Sequence, residues 1–400
     1  MIDFRPDDTP ELKAWRSEVR QFLETELPDG MHFDYDFDED PERWAAYLKF
    51  WRAVGQKGWV AACWPKAYYG QERSAIEYWI LQEEFSRHAA PTYPIIGFAV
   101  ANAVLRHGTH EQRLRHLKGI AHVTTLWGEG YTEPQAGSDL ASLTTRAHLD
   151  GDHWVLNGAK TLGTAAHHAN WMFVLARTDP EAVKHAGISA FLVDLSTPGI
   201  TMTPLRNMAD GQQNMTFFDN VRVPTDCVVG TPGQAWTQVW FGQGGERLNG
   251  AGPAPEGWVF RIERTLNLIR RFVRENTRNG KPLAEDPLVR MQLAELEMSV
   301  EIVRLQTAEA FSNFSTRQMR TGSPVFAANL QWVFYKELIP RFTQICMEIV
   351  GPASQIQSGP WAHLEGRIEK AFRASFGNHA GGTPQLKRMT LATRGLGLPR

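Results

Sequence analysis

The feature that most constrains this chain is a hydrophobic period that changes twice along 400 residues. From residue 9 to about residue 122, apolar side chains recur at helical three- and four-residue steps. Between about residues 126 and 229, short β-rich runs broken by Gly, Pro and Asp replace that pattern. From about residue 234 the helical steps return. The predicted fold is therefore α+β and multidomain. An N-terminal helical domain covers residues 1–123, a middle antiparallel sheet or barrel 124–233, and a C-terminal four-helix bundle 234–400.

Each zone carries its own punctuation. Thr9 is an N-cap and Pro10 the first helical position, with Leu12, Trp15, Val19, Phe22 and Leu23 on one face before Pro28 ends the helix. A second helix follows Pro41, with Trp44, Leu48 and Trp51 on one side. A third, over residues 74–88, carries Ile76, Trp79, Ile80 and Phe85. In the middle zone TTRAHLD, the turn GD and HWVLNGAK predict a hairpin. WMFVLART, GISAFLVDL, GITMTPL and MTFFDNVRVP follow as further strands, too closely spaced for crossover helices. In the last zone Val289, Leu293, Leu296, Val300 and Val303 mark a long helix. Another runs over residues 324–350, and Thr383 caps one over residues 384–394.

Composition narrows the function. A formal net charge of −2 gives no global basic field for nucleic acid. The longest apolar run, residues 93–105, is too short to span a bilayer. The acidic start, MIDFRPDDTPELK, has no apolar signal core, which predicts a cytoplasmic protein. Cys63, Cys227 and Cys346 have no metal or disulfide spacing and are expected to be buried and reduced. The 13 histidines show no ligand spacing, so no metal is expected. No G-x-G-x-x-G follows a strand, so a Rossmann site is not indicated.

Residues 130–143, GYTEPQAGSDLASL, form a polar loop with the hydroxyls of Thr132 and Ser138. Such a loop lets backbone N–H groups approach an anionic or carbonyl-bearing ligand. Taken alone, it is equally a structural Pro/Gly turn. The stretch resembles the SEPxAGSD signature of the acyl-CoA dehydrogenase family. NGAKTLGTAAHHANWMFVLART (157–178), VRVP (221–224) and the terminal GGTPQLKR and GLGLPR resemble that family's other landmarks in the same order.

The resemblance implies FAD, bound between the β domain and the C-terminal bundle. It carries flavin contacts onto Thr132 and Ser138, with Tyr131 and Gly137 in the same segment, and onto Thr164 near the reactive N5. Where many relatives stack a Trp on the flavin, this chain has Leu162. Thr383 and Gln385 fall on tail positions that touch FAD. EIVGPAS (348–354, with Gly351) falls on the stretch that meets a neighbouring subunit's FAD. Arg278, in RENTRNGKPL, is the nearest candidate for the family's pyrophosphate-binding arginine and is otherwise a solvated surface charge.

The family's chemistry is α,β-dehydrogenation of an acyl-CoA thioester, which needs a carboxylate base in a dry pocket. Many relatives carry that Glu just before the tail's Gly-Thr. Here the tail reads HAGGT, Gly381 stands there, and no Asp or Glu follows Glu369. Another branch carries its base before an Arg in a context like ERxxxAGxP. ERLNGAGP (246–253) resembles that context, which assigns Glu246 as the base with Arg247 beside it. Gly381 then leaves room for the carboxylate, and its backbone N–H can donate to the thioester oxygen. Glu133 and Asp139 are expected to stabilise their loop, and His167 and His168 to cap or hydrogen-bond locally. Glu256 is on the wrong helical face for a base.

Within the family the chain most resembles bacterial large-subunit, pimeloyl-CoA and steroid side-chain types. This implies an electron-transferring flavoprotein as acceptor and a homotetramer, or a heterotetramer with a second dehydrogenase-like chain. Two alternatives stay open on the residues alone. One is a non-catalytic subunit lending half a site to another chain. The other is an oxidase or monooxygenase on the same fold.

Overall fold

The computed structural model describes residues 8–28, 40–91, 97–209, 211–236, 256–315, 324–377 and 381–399. The chain divides into two compact units. One comprises Trp15–Leu81 and Ala90–Ala254; the other comprises Met1–Ala14, Gln82–Ala89 and Pro255–Arg400.

The first unit opens with most of helix α1 (Pro10–Glu26), whose Trp15, Val19, Phe22 and Leu23 are buried as the spacing predicts. Trp59 receives the edges of Trp15 and Phe22 at centroid distances of 5.2 and 4.8 Å. Helix α2 (Pro41–Gln56) is capped by Asp40, whose carboxylate accepts from the Glu42 and Arg43 N–H groups. Its buried face is centred on Tyr47, Phe50, Trp51 and Val54, and the expected Trp44 and Leu48 are only half-buried. Helices α3 (Ala75–Arg87), α4 (Gly97–His107) and α5 (His110–Ala121) follow. A reciprocal capping box of Thr109 and Gln112 starts α5. The same Gln112 amide donates to the Asp226 and Val228 carbonyls at 2.6 and 2.8 Å, tying the helix to the sheet domain.

The sheet runs β1 (Trp127–Gly130), β2 (Arg146–Asp150), β3 (His153–Thr164), β4 (Trp171–Arg177), β5 (Ile188–Asp194), β6 (Ile200–Arg206), β7 (Gln212–Pro224) and β8 (Val228–Val229). All the expected β-rich runs are strands, and β2–β3 is the expected hairpin with Asp150 opposite His153. The hydrogen-bonded order is β6-β7-β3-β2-β4-β5-β8. Among the described residues nothing pairs β6 with β8, so the barrel expectation reduces to a sheet. The pairing is also not purely antiparallel. β1 lies parallel to β4, with Trp127 opposite Trp171, and β2 meets β4 in parallel at Arg146 and Arg177. Between two register shifts in β3 sits Gly158 at φ +149°, where a Cβ would meet the Thr145 side chain at 2.5 Å.

In the second unit, α6 (Glu256–Glu275), α7 (Pro287–Ser315), α8 (Pro324–Val350) and α9 (Arg367–Ser375) share one core, including Ile269, Val300, Phe342, Ile345 and Ile368. The expected α7 stripe is buried at Val289, Leu296, Val300 and Val303. A second α7 face is apolar yet exposed, at Leu288, Met291, Met298, Ile302 and Leu305. Short strands β9 (Thr277–Arg278) and β10 (Lys281–Pro282) link α6 to α7. Helix α10 (Pro384–Thr390) continues as a wider turn to Gly395. Cys227 and Cys346 are buried free thiols, whereas Cys63 is half-buried. Among the described residues no helix is long and apolar enough to cross a membrane.

Candidate active site

Residues 131–145 leave β1 as a loop folded around one carboxylate. Glu133 and Ala136 exchange backbone hydrogen bonds at 3.2 and 3.1 Å. The buried Glu133 carboxylate accepts from Thr144 N (2.6 Å), Thr144 Oγ1 (2.9 Å), Thr145 N (2.8 Å) and Lys160 Nζ (2.8 Å). Burial alone would raise its pKa, but Lys160 and these donors bring it down to about 2. Asp139, at the loop's outer end, accepts from Lys184 at 2.5 Å and from Ser142 Oγ at 2.6 Å. Both acids stabilise the loop, as expected. Between them Gly137 and Ser138 are exposed, and a Cβ on Gly137 would meet nothing within 4 Å.

β3 runs beside this loop and holds it at three points. Thr161 N donates to Thr132 O at 2.8 Å. Lys160 Nζ donates both to Tyr131 O at 3.2 Å and to Glu133. Tyr131 is itself buried, with its ring 5.9 Å from that of Phe173. The second register shift of β3, between Lys160 and Gly163, brackets Leu162. Leu162 has φ +61°, a left-handed conformation costly for leucine, and its side chain is 47% exposed. Thr164 is exposed at the strand end, where its hydroxyl accepts from Gln213 at 3.5 Å. The buried Asn214 amide donates to Gly163 O at 3.1 Å and lies 3.2 Å from His167 Nδ1. His168 stacks on Trp44 at 4.0 Å, and its ring lies 4.0 Å from that of His167.

Two sequence-distant segments thus meet, bringing the half-buried Thr132 beside the strand end that carries Leu162 and Thr164. Together they carry two hydroxyl side chains, loop backbone and one apolar side chain, half-buried at Thr132 and exposed at Leu162 and Thr164. That combination fits a ligand with a flat apolar ring system and polar edges, as a flavin has. Lys160 and Asn214 are the residues sequence reasoning missed. The one available signal for Lys160 was its phase, two and four residues from Gly158 and the buried Leu156 in a strand of period two.

The second unit holds the tail residues. Gly381 and Gly382 have φ +72° and +103°, and Trp332 Nε1 donates to Gly382 O at 3.2 Å. Thr383 caps α10, its hydroxyl accepting from Leu386 N at 3.2 Å, and Gln385 is exposed in the first turn. Arg278 and Gly351 come together: the guanidinium donates to Ile349 O at 2.6 Å, at the C-terminus of α8, and a Cβ on Gly351 would lie 3.7 Å from it. Glu246 and Arg247 lie outside the described residues.

Comparisons with known proteins agree along the chain. The acyl-CoA dehydrogenase N-terminal, middle and C-terminal domain models match residues 9–124, 128–221 and 256–396. Acyl-CoA dehydrogenase FadE26 of Mycobacterium tuberculosis is 32% identical, with 98% of each chain covered. Among solved structures, the ChsE4-ChsE5 complex from Mycobacterium tuberculosis is similar at TM-score 0.85 and 31% identity, covering 99% of this chain and 100% of that one. The Tcur3481-Tcur3483 steroid ACAD is similar at TM-score 0.87 and 30% identity, with both chains fully covered. With its three domain models matched in order and this likeness spanning nearly its whole length, the chain belongs to the acyl-CoA dehydrogenase family of oxidoreductases.

Proposed function

We propose that the protein is an FAD-dependent dehydrogenase that converts an acyl-CoA thioester to its trans-2-enoyl-CoA, with Glu246 as the base. The observation that supports it most is the hydroxyl corner of Thr132 and Thr164 around the left-handed Leu162, in a chain of this family. When bound, FAD supplies the acceptor for the hydride lost from the β-carbon. Thr132, Ser138 and Thr164 are the hydroxyls that would hold it in the sheet domain, with Tyr131 and Gly137 shaping the loop and Leu162 covering a ring face. By family position Thr383 and Gln385 are further FAD contacts, and Arg278 and Gly351 are contacts to a neighbouring subunit's FAD.

The Glu246 carboxylate takes the α-proton, with Arg247 as the arginine that follows the base in the family's sequence context. As the Cα–H and Cβ–H bonds break, the Cα=Cβ bond forms. Gly381, at φ +72°, offers its N–H to the thioester oxygen as enolate charge develops.

Two similar solved structures are of paired proteins, ChsE4-ChsE5 and Tcur3481-Tcur3483, and the second is a steroid ACAD. We therefore favour a bulky, steroid-type acyl group and a tetramer, either of one chain or with a second dehydrogenase-like chain. The exposed apolar face of α7 suits such an assembly. An electron-transferring flavoprotein as acceptor and a cytoplasmic setting belong to the same proposal.

The test is Glu246→Gln with a panel of acyl-CoAs of differing length and branching. The variant should keep its yellow flavin and lose substrate bleaching. Bleaching at the wild-type rate would refute the assignment.

A further inference from the structure

The two residues that flank Thr132 have one partner in common. Lys160 Nζ donates to the carbonyl of Tyr131 and to the carboxylate of Glu133, and the next residue, Thr161, donates its N–H to Thr132 O. Three consecutive loop residues are thus fixed by two consecutive strand residues. Two positions after Lys160 the strand turns left-handed at Leu162, and it ends at Thr164.

The ion pair is buried, with 1% and 0% of the Lys160 and Glu133 side-chain surface exposed. A buried pair of this kind is weak evidence for stability, because desolvation offsets most of the attraction. An apolar residue in phase with Leu156 would fill the same space more simply. What the lysine adds is direction: its donors bind two oxygens in the loop at once and so set where the residue between them sits.

We propose that Lys160, through Glu133 and the Tyr131 carbonyl, is a positioning residue for the cofactor loop, holding the Thr132 hydroxyl in register with Leu162 and Thr164. The inference rests on the flavin reading above. Lys160 itself touches no ligand; it is covered by the loop it holds. Both groups are charged near neutral pH. Burial pulls the Lys160 ammonium down to about 8, opposed by Glu133, whose own carboxyl stands at about 2.

The test uses the full-length chain and the double variant Lys160→Met/Glu133→Gln. The amide introduced at position 133 keeps one oxygen, for the Thr144 or the Thr145 N–H, with its NH2 in place of the other oxygen, and no unpaired charge is left inside. The variant should stay folded, with its melting temperature lowered by about a few degrees for the one loop N–H that loses its acceptor. The dissociation constant of FAD, titrated into apoprotein, should rise by about tenfold, and the visible circular dichroism of the bound flavin should change. Unchanged affinity and an unchanged flavin spectrum in the folded variant would overturn the proposal.

A second measurement needs no variant. Hydrogen exchange of the wild-type protein with and without FAD should show peptides from residues 129–136 and 158–164 losing protection together on removal. Loss in one segment alone would also overturn the proposal. A wild-type protein that takes up no FAD would instead overturn the flavin reading on which it stands.

Discussion

His116 makes stability depend on pH in a way that can be worked out from its surroundings. It lies on α5 with 5% exposure, its ring edge-on to Trp127 at 5.4 Å and to Trp171 at 4.8 Å. Burial, and secondarily the charge of Arg115, lowers its pKa from 6.5 to about 4; Asp226 acts weakly the other way. The unfolded chain therefore binds the proton more readily than the folded one between those two values. Stability associated with His116 is fully present above pH 6.5 and is lost as pH falls toward 4.

At pH 4.5 the gap already spans two pH units below 6.5, which corresponds to about 2 to 3 kcal/mol. His116→Phe keeps an aromatic ring against both tryptophans and removes the titration. Urea unfolding followed by tryptophan fluorescence should place the variant within about 1 kcal/mol of wild type at pH 7. At pH 4.5 the variant should be the more stable protein, by about 2 kcal/mol relative to the pH 7 difference. If the difference between the two proteins is the same at both pH values, burial does not hold His116 neutral and the reasoning is wrong.

Two further substitutions probe the candidate site. Leu162→Gly relieves the left-handed strain of a half-exposed side chain, and glycine's extra chain entropy offsets much of that gain, so stability should move by less than about 1 kcal/mol. FAD affinity should fall all the same, and a large drop in melting temperature would show that Leu162 serves the fold. Arg278→Met removes a charge-assisted bond to the last carbonyls of α8 and should cost about 1 kcal/mol in urea unfolding. A variant as stable as wild type would mean that the arginine is not anchored on that helix end.

The parts of the fold legible in the sequence were those whose signal is local. Val289, Leu296, Val300 and Val303 face the core because helical periodicity is written in neighbouring residues, and the Thr383 cap follows from a hydroxyl before Pro384. The β2–β3 hairpin was equally plain from its Gly-Asp turn. Parallel pairing of β1 was not legible, since WGEG is four residues long and its partner is remote in sequence. The helical face of α2 is half legible: its tryptophans mark one stripe, whereas Tyr47 and Phe50 carry more of the burial.

In the candidate site, motif order identified the loop and strand end that come together. Their mutual geometry was hidden for a physical reason. Lysine is read as solvated by default, and Lys160 is inside only because Glu133, 27 positions earlier, neutralises it. Leucine likewise carries no signal for a left-handed backbone. The bulge that puts Leu162 there depends on the register with β7, which no local pattern encodes.

The parallel contact between β1 and β4 also has a consequence for the order of assembly. Trp127 must find Trp171 across everything between, including the whole β2–β3 hairpin. A hairpin closes in microseconds from contacts a few residues apart, whereas a parallel pairing must first meet the entropy of a long closed loop. On the ribosome β1 emerges well before the strand it needs. The TEPQAGSD loop is tethered at its start to β1 and along its length to β3. It should therefore be among the last parts of the sheet domain to take shape, after the hairpin has formed and β4 has docked. A chain stalled before Trp171 would carry the loop and its β3 partners but lack the β4 strand on which the start of the loop is anchored through β1.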